Sequence, residues 1–280
     1  MICPDCGAGE QRESDTQCSQ CGEALLLHAR YQLLAVLGSN IGTTYLARDT
    51  TAGREVVVKE LAFGKLDAWK TQELFEREMQ VLRQLDHPLI PSYLEHFTLG
   101  QGKRQRNYLV LERVQGETLR DELEHRRYSE DDVLDVLDRV LSVLEYLQAL
   151  HPPLIHRDIK PSNLIRMPDG RIALVDFGAV RDLLRGEGDT PTIAGTFGFM
   201  APEQFRSEAF LQTDLYGLGG VALHLLARKP PDKMLASSMQ LDWQRHVNVS
   251  PPMRALLERL LALEVSARPA SASAARQLVA

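Results

Sequence analysis

The chain changes its period partway along. From Tyr31 to Val114, apart from one helical stretch at Thr71–Leu85, apolar side chains alternate with polar ones or come in short runs, and from Ser129 they begin to recur every three to four positions. Period two belongs to strands and period 3.6 to helices, so the order implies a small sheet-rich lobe joined to a larger helical one. Tyr31–Leu37 reads as a strand, and Thr43–Arg48 and Arg54–Leu61 read as two more around a turn at Thr51-Ala52-Gly53-Arg54. Thr71–Leu85 carries Leu74, Phe75, Met79, Leu82 and Leu85 at helical spacing, and Pro88 and Pro91 end it. Strand signals return at Tyr93–Leu99 and Tyr108–Val114. Ser129-Glu130-Asp131-Asp132 then has the form of a helix cap, with acids that suit the helix dipole. Val133, Val136, Leu137, Val140, Leu141, Leu144 and Leu147 form the apolar face of the helix that follows. The expected fold class is α+β in two lobes.

Composition sets limits on function. The chain has 280 residues, 44% hydrophobic and 25% charged, enough for a two-lobed core and a small appendage. No stretch approaches the roughly 20 apolar residues of a membrane span. Met1–Cys6 lacks the basic and apolar regions of a secretory signal, so a cytoplasmic protein with no membrane partner is expected. A net charge of −6 argues against backbone-driven nucleic-acid binding, which needs a basic face.

All 4 cysteines fall within the first 21 residues, in two matching turns, Cys3-Pro4-Asp5-Cys6-Gly7 and Cys18-Ser19-Gln20-Cys21-Gly22. Each C-x-x-C-G turn sets two thiolates on one side of a loop, and its glycine can take a positive φ. Two such turns facing each other give the tetrahedral sulfur set of structural Zn2+. Redox cysteines, a disulfide pair or another thiolate-bound metal are the alternatives. Residues 1–24 are therefore read as a zinc ribbon with Cys3, Cys6, Cys18 and Cys21 as ligands, and 25–30 as a short connector. Such a closed site supplies no open coordination position for catalysis, and the segment's acidic balance disfavours nucleic acid. A stabilising cap or a module that docks a protein partner is expected instead.

The larger part of the chain carries an ordered series of motifs. His156-Arg157-Asp158-Ile159-Lys160-Pro161-Ser162-Asn163 is followed by Asp176-Phe177-Gly178 and then by Ala201-Pro202-Glu203. Upstream stand Val56-Val57-Val58-Lys59 and Arg77-Glu78-Met79. On these residues the chain resembles the eukaryotic-like protein kinases, particularly their bacterial Ser/Thr members, over 31–280. The resemblance implies an N-lobe over 31–114, a C-lobe over 115–280, and phosphoryl transfer from ATP to Ser/Thr hydroxyls of protein substrates. That chemistry rests on positioning and on screening of phosphate charge. Asp158 is then the residue that accepts or orients the hydroxyl proton, and Lys160 lies near the transferring phosphate. Lys59 holds ATP phosphates with Glu78 as its helix partner. Asn163 and Asp176 are oxygen ligands for Mg2+ (or Mn2+), as a hard cation requires.

The same resemblance assigns Leu37, Val57 and Ile165 to the adenine walls, Leu111 to the gatekeeper position and Glu112–Val114 to the hinge. It pairs Glu203 with Arg268, makes Asp214 a brace for the catalytic loop, and stacks Leu82, His156 and Phe177. Thr196 belongs to the protein-substrate shelf. His87 and His224 read as packing or surface residues rather than ligands.

The match departs from the family pattern at the glycine loop. Gly38-Ser39-Asn40-Ile41-Gly42-Thr43-Thr44 is one residue shorter than usual and lacks the middle glycine, and Thr44 replaces the valine over adenine. The alternative reading is accordingly a weakly active kinase or a pseudokinase scaffold whose ribbon docks a partner. A small-molecule kinase is disfavoured by Thr196 and Ala201-Pro202-Glu203. In the activation segment, Thr190 or Thr192 is the expected autophosphorylation site, with Arg157 and Arg181 as the phosphate grip.

Overall fold

The computed structural model describes residues 1–9, 11–12, 14–39, 42–61, 79–100, 105–177, 197–235 and 241–279. Asn40, Glu78, Arg181, Thr190, Thr192 and Thr196 lie outside the described residues. Of the helix expected over 71–85, the described part is helical at 79–83. The chain divides into two compact units, Met1–Asp86 with Pro91–Arg113, and His87–Ile90 with Val114–Ala280.

The first unit is built on one antiparallel sheet. Its strands are β1 (Leu26–Leu27), β2 (Tyr31–Ser39), β3 (Thr43–Asp49), β4 (Arg54–Leu61), β5 (Tyr93–Leu99) and β6 (Arg106–Glu112), in the order β1-β2-β3-β4-β6-β5. Two positions of the predicted connector thus form a strand, with Leu26 opposite Gln32 and Leu27 opposite Tyr31. Period two sorts the side chains. Tyr31, Leu33, Ala47, Val56, Val58, Tyr108 and Val110 share a buried cluster with Leu27 and Phe97. Val57 and Lys59 alternate with Val56 and Val58 and so point to the opposite face.

The β3–β4 turn has a local cause. The buried Asp49 carboxylate accepts the N–H groups of Thr51 at 3.0 Å and Ala52 at 3.1 Å, and Gly53 takes a φ of 66°. Arg30 holds the same carboxylate with two bonds of 2.8 and 2.6 Å, which chiefly lowers the pKa of Asp49 to about 2. Arg30 also reaches Glu95 on β5, and the Tyr31 hydroxyl donates to Glu95 as well. The start of β2 is thereby tied to both β3 and β5.

The second unit is helical around a small sheet of β7 (Glu117–Thr118), β8 (Leu164–Arg166) and β9 (Ile172–Leu174). Helix α1 (Leu119–His125) starts at a Thr118 cap, and α2 (Glu130–Ala149) starts at the predicted Ser129/Asp132 capping box. The apolar face of α2 is buried over Val133–Leu147 as its spacing requires. Helix α3 (Thr213–Ala227) is buried on nearly every side, and α4 (Pro251–Leu260) and α5 (Ala272–Arg276) complete the unit. Gly217 lets α3 approach closely, since a Cβ there would sit 3.0 Å from the Ile159 carbonyl oxygen. Among the described residues no helix is long and apolar enough to cross a membrane.

Candidate active site and thiolate cluster

The loop after α2 is shaped by one buried carboxylate. Asp214, in the first turn of α3, accepts the backbone N–H of His156 at 2.8 Å and of Arg157 at 2.7 Å. Burial pushes the Asp214 pKa up, against the pull of these donors. Arg157 has a φ of 65°, a left-handed conformation that costs a non-glycine residue about 1 kcal/mol. Its peptide is held on the other side too, because Gln204 Nε2 donates to the Arg157 carbonyl at 2.8 Å. The role of Asp214 was legible from its motif. Gln204 belongs to no motif, and its signal in the sequence is a polar amide directly after Ala201-Pro202-Glu203.

Asp158 follows this braced peptide. Lys160 Nζ meets Asp158 Oδ2 at 2.7 Å, and Asn163 Nδ2 meets the same oxygen at 3.0 Å and the Asp158 carbonyl at 2.8 Å. Two donors on Oδ2 fix the plane of the carboxylate. Because the Asn163 nitrogen is committed to Asp158, its Oδ1 is the atom that would face a cation. Asn163 closes the 3-10 turn Pro161–Asn163, and its carbonyl accepts the Val175 N–H at 2.9 Å. His156 Nε2 donates to the Val175 carbonyl at 3.2 Å, so its Nδ1 is the acceptor for the Asp158 N–H at 3.4 Å. Val175 is thus anchored at both ends, which sets Asp176 beside Asn163 in the fold. Asp176 has a φ of 67°. The Phe177 ring meets His156 edge-on with centroids 4.7 Å apart. Ile165 on β8 lies opposite Thr118 and Ala173. The predicted Asp158, Lys160 and Asn163 are therefore brought together on one loop, and Asp176 follows Val175, which is bonded to that loop.

In the other unit, register gathers the predicted nucleotide residues on one face of the sheet. Gly38 is opposite Thr44, Thr44 opposite Lys59, and Val57 opposite Leu111. Directly opposed residues share a face, so Thr44, Val57, Lys59 and Leu111 line the side away from the buried cluster. Leu37 is 57% exposed. Glu112 ends β6, and its carboxylate accepts from the Ser92 hydroxyl at 2.8 Å. Val114 opens the second unit, and Gly42 sits just before β3.

The two cysteine turns repeat one hydrogen-bond pattern. Cys3 N–H donates to the Ala8 carbonyl and Gly7 N–H to the Cys3 carbonyl, as Cys18 N–H does to Glu23 and Gly22 N–H to Cys18. Gly7 and Gly22 have φ of 74° and 78°, the positive values the turns require. The four Sγ atoms lie within 4.8 Å of one another, with Cys3–Cys21 at 3.6 Å and Cys6–Cys18 at 3.7 Å. These separations are far too long for a disulfide, while tetrahedral zinc at about 2.3 Å from each sulfur puts sulfurs about 3.8 Å apart. N–H groups of Cys21 and Gln20 lower the Cys18 thiol to about 7, while Cys6 is pushed up and Cys21 is pushed up to about 12 among the crowded sulfurs, so the thiols share their charge unequally without a cation. The cysteine segment rests on the sheet. Ile2 N–H donates to the Leu33 carbonyl at 2.9 Å, the Ile2 side chain packs on the buried cluster, and Arg106 reaches the Pro4 carbonyl at 3.3 Å.

The protein kinase domain family matches residues 31–279. Serine/threonine-protein kinase B of Synechocystis sp. is 34% identical over 96% of this chain and 49% of its own length. Serine/threonine-protein kinase PknA of Nostoc sp. is 36% identical over 85% of this chain and 44% of its own. Serine/threonine-protein kinase D of Synechocystis sp. is 34% identical over 89% of this chain and 51% of its own. The chain spans about half the length of these curated relatives.

Proposed function

We propose, since this chain belongs to the protein kinase domain family, that it transfers the γ-phosphate of ATP to Ser/Thr hydroxyls of proteins. The observation that carries the reading is the Asp158 carboxylate oriented by Lys160 and Asn163 on a loop braced by Asp214. Its Oδ1 receives the hydroxyl proton while Oδ2 stays bound, and Lys160 keeps positive charge beside the transferring phosphate. Lys59 holds the ATP phosphates, with Glu78 as its partner. Val57, Leu37, Ile165 and Leu111 contact adenine, and Glu112–Val114 supply backbone groups to it. Gly38, Asn40 and Gly42 approach the phosphates. Asn163 and Asp176 hold Mg2+, which screens the phosphate charge. Thr190 or Thr192 is autophosphorylated and gripped by Arg157 and Arg181, and Thr196 serves the substrate shelf.

We further propose that residues 1–24 are a zinc ribbon held by Cys3, Cys6, Cys18 and Cys21. The repeated turn pattern and the sulfur separations support Zn2+, and the contacts of Ile2 and Arg106 support a cap on the sheet. A protein partner for the ribbon, and a cytoplasmic location for the whole, complete the proposal.

The test uses labelled ATP, Mg2+ and a basic substrate protein, with Asp158→Asn in parallel and zinc measured on the same sample. Label transfer by wild type and none by Asp158→Asn is expected, with one zinc per chain. No transfer by folded, zinc-loaded wild type under varied divalent ions would overturn the phosphotransfer reading. A metal-free, well-folded chain would overturn the ribbon.

A further inference from the structure

Among the described residues, an aspartate and a glutamine both clamp the strained peptide before the base. Asp214 takes the Arg157 N–H, while Gln204 gives an N–H to the Arg157 carbonyl. Gln204 is 6% exposed and lies in the 3-10 turn Pro202–Arg206. Its other amide atom, Oε1, accepts the Ala201 N–H at 2.9 Å. The partners fix which atom is which, since Ala201 offers a proton and the Arg157 carbonyl needs one.

Capping the turn explains only half of this geometry. Reaching back to the N-cap N–H is a task that Glu performs as well as Gln. A carboxylate at this position would turn a lone pair toward the Arg157 carbonyl, whereas the amide accepts on one side and donates on the other. Two residues farther on, Arg206 ends the turn, and Glu203 beside Gln204 is locked by Arg268 at 2.7 Å. The clamp is therefore mounted on a rigid base. It ties the end of the activation segment to the peptide bond whose next residue is Asp158.

We propose that Gln204 is a positioning residue for phosphotransfer, acting through Arg157 to set the direction of Asp158. The inference rests on the kinase reading for its catalytic consequence and on geometry alone for the clamp. A carboxylate displaced by a fraction of an ångström meets the hydroxyl badly, so the effect belongs in kcat and not in ATP binding.

The test compares Gln204→Glu and Gln204→Met with wild type, using ATP, Mg2+ and a generic protein substrate, over a range of pH. Gln204→Met is expected to lower kcat roughly tenfold or more at every pH, with KM for ATP within about twofold. Gln204→Glu keeps the cap. Its protonated acid can donate to Arg157 and its carboxylate cannot, so its activity relative to wild type is expected to fall as pH rises. Hydrogen exchange of the peptide spanning 155–160 reads the clamp without catalysis, and is expected to quicken in Gln204→Met while thermal melting stays within a few degrees. Unchanged exchange in Gln204→Met would overturn the clamp. Normal kcat in both variants at every pH, with wild type active and Asp158→Asn inactive, would overturn the positioning role. An inactive wild type with the exchange change present would sink the kinase reading and leave the clamp standing.

Discussion

Replacing Arg268 by methionine should unfold the helical unit far more readily than its distance from Asp158 suggests. The guanidinium is fully buried and every one of its N–H groups is used. Nε donates to the Ala262 carbonyl at 2.8 Å. Nη1 donates to Glu203 at 2.7 Å and to the Gln212 carbonyl at 3.2 Å, and Nη2 to Glu203 at 2.9 Å and to the Leu263 carbonyl at 3.2 Å. Removing the cation leaves the Glu203 carboxylate, in a residue 1% exposed, facing the Thr213 hydroxyl at 2.8 Å among the described residues. Stranding a buried charge costs about 3–5 kcal/mol, which for a unit of this size lowers Tm by about 6–20 °C. Arg268→Lys keeps the charge but brings three donors to five acceptors, and should fall between wild type and Arg268→Met. Urea unfolding followed by the buried Trp243, with Trp69 replaced by Phe, reports on this unit. In the cycle with Glu203→Gln, the double variant should lose at least about 1 kcal/mol less than the two single losses combined, because it strands no charge. A loss under about 1 kcal/mol for Arg268→Met, or strict additivity, would refute the reasoning. The pair also has a pH signature. Burial raises the Glu203 pKa, yet the bonds from Arg268 and Thr213 outweigh it and the net direction is down from 4.5. The stability it contributes is complete above pH 4.5 and is lost as pH falls through the lower folded value.

Burial and then Arg120 hold the pKa of His224 down at about 4 from 6.5. The unfolded chain therefore takes up a proton that the folded chain refuses, and stability should fall by about 2–3 kcal/mol between pH 6.5 and 4. His224→Leu should flatten that part of the curve, and an unchanged slope in calorimetry would count against this assignment. Gly116 has a φ of 150°, and a Cβ there would run into the Arg166 carbonyl and the Ile165 side chain. Gly116→Ala should cost about 2 kcal/mol or more in urea unfolding and disturb the β7–β8 pairing, and a neutral result would mean that this approach relaxes freely.

Elements set by local chemistry were legible in the sequence. The Ser129/Asp132 cap, the β3–β4 turn and the two cysteine turns each depend on residues within a few positions, and each formed as its residues implied. The α+β order and the family's motif residues could be read for the same reason, since each motif is a short run. What escaped was long-range. Leu26 and Leu27 read as connector because two residues show no period, and only pairing with Gln32 and Tyr31 makes them a strand. Gln204 touches Arg157 across 47 positions, and no local pattern marks such a bond. Strand β6 runs over Arg106–Glu112 and not 108–114, because pairing with β4 and β5 sets its ends.

The short β1 has a bearing on solubility. Beyond its two residues, β2 continues for the rest of its nine, and Val36 and Leu37 are 50% and 57% exposed. The Ile2 N–H occupies the Leu33 carbonyl, a group an incoming strand would otherwise use. The N-terminal segment thus works as a guard on an edge rich in leucine and valine, the sort of edge that recruits a second copy of itself. A chain cut back to Tyr31 would keep every residue of the family match while baring that edge. Its expected failing is self-association, visible in light scattering at concentrations where the full chain stays monodisperse.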